Sequence, residues 1–279
     1  MLRRSSEPDP LSSAPNALQR HETRLVGARL DDGPGLTLLA QPLALALAWL
    51  FTASYFGRLL AVLAQIQFHE LGHALPAWLS SRAALPLPFG FTFWREEPSI
   101  FTGLCFAFLA GLLIQRGYAE ERRGALLLGL SALAGWVTLT WFVSVETSRM
   151  LILAGGFVAE LVLPALALVA FHLRMPDRLR WDFFRFLVLP VAACAFVGAL
   201  RLWLGIAHGS TALPMGSFLP GDGAGDFDRL MSEHGFSQAR IIGIGTTSAR
   251  LSVLGLGVCY ALLVARALGR TRHTPRPGA

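Results

Sequence analysis

The sequence predicts an all-α membrane protein, a polytopic bundle of about six to seven transmembrane helices with a short β-like or re-entrant segment after the second. Hydrophobic residues fill 53% of the 279 positions and charged residues only 15%, where an ordinary soluble domain carries about 25% charged residues. Apolar runs of about 20 residues recur, the length that crosses about 30 Å of hydrocarbon. One stretch between them breaks helical periodicity with prolines and alternating aromatics.

In chain order, Leu36 to Tyr55 is the first expected span and Leu59 to Leu79 the second, with Arg58 at its start. Residues 81–99 change character: Pro86 and Pro88 exclude a helix, and Phe89, Phe91 and Phe93 alternate as in a strand, so a hairpin or interfacial loop is expected. Ile100 to Gln115, Gly124 to Val145, Met150 to Leu173 and Phe183 to Ile206 follow as spans three to six, divided by charged loops and by Pro176. Ile241 to Leu268 is the seventh, interrupted by the polar run Gly245 to Arg250.

The net charge of +6 is carried by arginine alone, because the sequence contains no lysine. These arginines are spread over tails and short loops, which suits membrane flanks and argues against a nucleic-acid partner. The expected partners are the lipid bilayer and a membrane-spanning protein substrate, and the expected setting is a bacterial inner membrane. Residues 1–35 lack an early apolar signal region and are expected to form a disordered or surface tail. Residues 36–268 form the membrane-embedded domain, and 269–279 a basic tail. Cys105, Cys194 and Cys259 are isolated in apolar segments and are expected to be buried free thiols.

The second span contains His69-Glu70-Leu71-Gly72-His73. Histidines four apart share a helix face, so both imidazoles reach one metal ion while the intervening glutamate can serve a bound water. Three ionisable groups within five positions of an apolar span are expensive unless they bind something or line a wet cavity. The chemistry this suggests is peptide hydrolysis at Zn²⁺, with His69 and His73 as ligands and Glu70 as general base. Gly72 lets a neighbouring helix or a substrate approach closely.

Phe68 to Ala74, followed by Pro86-Leu87-Pro88-Phe89-Gly90, resembles the site-2 protease family of intramembrane zinc metalloproteases. Ala154-Gly155-Gly156-Phe157-Val158-Ala159-Glu160-Leu161 is similar to the glycine-containing helix that follows in that family. The resemblance implies a multi-span fold, zinc held within the bilayer and cleavage of membrane-embedded substrates. It also implies a third ligand from a Leu-Asp-Gly motif, which this sequence lacks. Asp226, ahead of an apolar helix face, is the first substitute; Asp222, in an Asp-Gly pair, is the second; Glu160 is the third. Asp226 is equally a helix N-cap candidate, and Glu160 a candidate ion-pair partner for Arg201 or Arg250. A catalytically inactive homologue serving as a membrane binding or scaffolding protein is the alternative, and an ion-conducting transporter a more distant one.

Overall fold

The structure, a computed structural model, describes residues 34–172, 184–216 and 224–272. The chain divides into Met1–Thr37 and Leu38–Ala279, and the second unit holds every element below except the first turn of α1. The elements are α1 (Pro34–Phe51), α2 (Tyr55–Leu79), β1 (Arg82–Leu87), β2 (Phe91–Pro98), α3 (Ile100–Ala119), α4 (Arg123–Val137) with a π-helical turn at Thr138–Phe142, α5 (Val145–Ala170), α6 (Phe184–Ala207), α7 (Asp226–His234) and α8 (Gln238–Arg272). The protein is thus an all-α membrane bundle with one small antiparallel hairpin.

Among the described residues, five stretches are long and apolar enough to cross a membrane: Ile100–Ala119, Arg123–Phe142, Val145–Ala170, Arg185–Ala207 and Gln238–Leu268. The apolar part of α1, Leu38–Phe51, is shorter, and α2 is diluted by Gln65, His69, Glu70 and His73. Leu104, Leu127 and Leu254 are 62–63% exposed, an outward apolar surface of the kind a bilayer covers. Cys105 joins that exposed surface, against the expectation of burial, while Cys194 and Cys259 are half-buried.

Several helix boundaries differ from those expected, and the start of the fifth helix has a clear cause. The fifth helix begins at Val145 and not Met150, because the Ser144 hydroxyl accepts from Thr147 N and caps it. The polar run in α8 does not interrupt the helix. The Thr246 hydroxyl donates back to Ile242 O at 2.7 Å, so the run satisfies itself without leaving helical geometry. The expected tails fall largely outside the described residues, although α8 continues to Arg272.

The most extensive interhelical contact is α2 on α5, and glycine makes it possible. A Cβ on Gly72 would lie 2.3 Å from Gly155 O, and one on Gly155 would lie 2.2 Å from Gly72 O. Backbone meets backbone there, the approach that small residues permit between membrane helices. A Gly155→Val variant is expected to lose at least about 3 kcal/mol, the upper end of overpacking costs, read as a lower unfolding midpoint in detergent. Further along, α6 crosses α2 at Gly198, which accommodates Gln65. Phe157, Trp203, Leu230 and Ile241 then close a core shared by α5, α6, α7 and α8.

The hairpin pairs Leu87 with Phe91 and Pro86 with Thr92, so the expected extended segment is a two-stranded sheet. Arg82 Nε donates to Glu96 O at 2.8 Å, and Glu96 in turn pairs with Arg149 of α5. Trp78 Nε1 donates to Ala84 O at 3.0 Å and Gln67 Nε2 to Pro88 O at 2.9 Å. These bonds pin the hairpin along α2.

Candidate metal centre

Residues 69 and 73 lie one turn apart on α2, and their Nε2 atoms are 3.0 Å apart. Asp226, the first residue of α7, brings Oδ2 to 2.9 Å from His69 Nε2 and 3.1 Å from His73 Nε2. Three ligand atoms from two distant segments therefore form one nearly equilateral triangle. Its edges are slightly shorter than the about 3.3 Å expected between ligands about 2.0 Å from a tetrahedral zinc.

The far sides of both imidazoles are already engaged. His69 Nδ1–H donates to Glu160 Oε1 at 2.7 Å, and His73 Nδ1–H donates to the Ile152 carbonyl at 2.7 Å. With those protons committed, the neutral rings present Nε2 lone pairs to each other and to a carboxylate oxygen. Three acceptors in such contact need a cation among them, a proton or a metal ion. Carboxylate and carbonyl acceptors behind metal-binding histidines are the usual supporting arrangement. Burial works against the charge on Asp226; where the cation is a proton on Nε2, the charged His73 and His69 outweigh burial and hold its carboxyl well below the usual range.

Packing explains why the rings fit. A Cβ on Gly156 would lie 2.6 Å from His73 Nε2 and 2.8 Å from His69 Cε1, so the paired glycines of α5 have separate tasks. Gly155 admits the α2 backbone and Gly156 admits the imidazoles. Glu160, one turn on, sits behind His69.

Glu70 is 3% exposed. The Thr92 hydroxyl of β2 donates to its Oε2 at 2.7 Å, with Glu70 O 3.0 Å from the same hydroxyl. The hairpin thus holds the carboxylate between the two histidines in sequence.

The structure brings together His69, His73 and Asp226, while Asp222 lies outside the described residues. Asp226 does not cap its helix. Gly225 is the N-cap, and Asp228 Oδ2 accepts from Gly225 N at 3.0 Å, which leaves the Asp226 side chain for the histidines. Glu160 binds His69 and not an arginine; Arg201 instead donates to Trp49 O at 2.6 Å. His172 meets Gln41 Oε1 at 2.6 Å, His208 bonds its own helix at Leu204 O, and His234 pairs with Glu146.

Sequence reasoning missed Thr92, Ile152 and Asp228. Thr92 was findable, since strand alternation puts it on the face opposite Phe91 and Phe93. The Ile152 carbonyl carries no sequence signal. For a metal ion held by this triangle, Glu160→Ala is expected to weaken binding about 10–100-fold by chelator competition, with Glu160→Gln, which keeps an acceptor, losing less.

Comparison with known protein families, with curated proteins and with solved structures returns no match. The reading of the site therefore rests on its own chemistry.

Proposed function

We propose that this membrane protein is an intramembrane zinc metalloprotease, similar to site-2 proteases, that hydrolyses peptide bonds of membrane-embedded protein substrates. The observation that carries the reading is the convergence of His69 Nε2, His73 Nε2 and Asp226 Oδ2 within 3.1 Å of one another, with both Nδ1 atoms held by acceptors. Two imidazoles and one carboxylate are a ligand set suited to catalytic zinc, which keeps a further position for water.

Zinc bound there would supply Lewis acidity and lower the pKa of a water towards about 7. His69, His73 and Asp226 would hold the ion, and Glu160 and the Ile152 carbonyl would fix the ring orientations. Glu70 is the general base: its carboxylate takes a proton from the attacking water and delivers it to the leaving amine. Thr92 keeps that carboxylate oriented through its hydroxyl bond. Burial of Glu70 among apolar helices limits its competing contacts with solvent.

A substrate helix must unwind before its peptide carbonyl can be attacked. The β1–β2 hairpin lies against α2 beside Glu70, and its open edge is a surface to which an unwound segment could add as a strand. Metal analysis of the purified protein, together with cleavage of a single-span test peptide, tests the proposal. Stoichiometric zinc with metal-dependent cleavage is expected. Zinc without cleavage would favour the non-enzymatic scaffold, and absence of metal binding would end the metalloprotease reading.

A further inference from the structure

The third ligand stands on a helix that cannot hold its own position. At nine residues, Asp226–His234 is shorter than the about 12–15 residues an isolated helix needs even to be marginal in water. Its place is therefore set by what it docks against.

Three anchors hold it. At the start, Asp228 Oδ2 accepts from Gly225 N at 3.0 Å and from Gly216 N at 2.7 Å, tying the helix to the segment before it. In the middle, Leu230 is fully buried, and the Phe227 ring lies 5.2 Å from Phe157 and 6.3 Å from Trp203. At the end, Gly235 turns the chain at φ 65°, and His234 Nδ1 lies 2.9 Å from Glu146 Oε1 in the first turn of α5.

Of the two anchors that join α7 to the bundle, the last differs in kind from the hydrophobic one. The hydrophobic anchor draws α7 into the core without fixing its slide or rotation, whereas a 2.9 Å Nδ1···Oε1 contact between one named side chain on each helix is met in only one register. It also joins α7 to the helix that carries Gly156 and Glu160, the residues that accommodate and orient the histidines. His234 is 5% exposed and Glu146 64%. The pair borders a cavity of about 310 Å³ lined also by Thr147, Met150, Glu233 and Arg240, so it sits at the wet end of the interface and not inside the core.

We propose that Glu146 and His234 are positioning residues for Asp226, a latch two helical turns from the metal centre that keeps α7 in the register where its first residue completes the ligand triangle. The proposal rests on the metal-centre reading above. When a ligand binds only the docked form, its apparent affinity falls by the fraction docked, so opening the latch weakens metal binding without altering any ligand.

The test uses the full-length protein in detergent, with zinc affinity measured by competition against a chromophoric chelator. Glu146→Ala changes an exposed side chain and leaves the core intact. It is expected to weaken zinc binding about tenfold, which is about 1.4 kcal/mol, with the unfolding midpoint of the zinc-free protein unchanged. His234→Ala should do the same, and the double variant should be no worse than either single one. His234→Gln, which retains an N–H donor, should recover most of the affinity. Wild-type affinity in both single variants, or losses that multiply in the double variant, would overturn the latch alone. A wild-type protein that binds no zinc would overturn the metal centre and the latch together.

Discussion

Glu70→Gln is expected to retain wild-type zinc content and to lose cleavage of a single-span test peptide by about 10²–10⁴-fold, the range general acid–base catalysis contributes. The amide has nearly the shape of the carboxylate, and its carbonyl oxygen can still accept from the Thr92 hydroxyl that now lies 2.7 Å from Oε2. What it cannot do is take a proton from water. The triangle of His69, His73 and Asp226 does not include residue 70, so metal content separates loss of the base from collapse of the site. A Glu70→Gln protein that cleaves at the wild-type rate would remove the proposed base.

The second large effect is on the metal itself. The double variant His69→Ala, His73→Ala is expected to purify without zinc, and Asp226→Ala to lose at least about 100-fold in affinity, while Asp222→Ala stays at the wild-type level. The argument is geometric: Asp226 Oδ2 is within 3.1 Å of both Nε2 atoms, and one ligand fewer leaves two imidazoles on a single helix turn. Dialysis against a chelator followed by metal analysis reads all three. Zinc lost with Asp222→Ala but kept with Asp226→Ala would reverse the assignment of the third ligand.

Glu160 and Asp226 show how much of the site was legible in the sequence. Both were candidates for the same place, and each had an unremarkable structural alternative. The structure separates them by which face of the histidines each meets: Asp226 approaches Nε2 beside His73, and Glu160 approaches Nδ1 of His69 from behind. No spacing rule distinguishes these, since in the sequence both are single carboxylates far from the histidines. The capping alternative for Asp226 fails because Gly225, one residue earlier, is the N-cap and Asp226 is already the first helical residue. Gly72, Gly155 and Gly156 were visible as residues that allow close approach, but which partner each admits depends on how α2 and α5 cross.

The sequence by itself determined the membrane class, the order of helices and the hairpin between the second and third. Apolar length, proline and strand alternation act over a few residues and need no partner. It also placed His69 and His73 together, because helical spacing puts the two imidazoles on one face. Which carboxylate joins the two imidazoles was left for the tertiary structure to decide. Asp226 lies 157 positions from His69, on a helix too short to stand alone, and only the packing of Leu230, Phe227 and His234 on the bundle brings its carboxylate to the histidines.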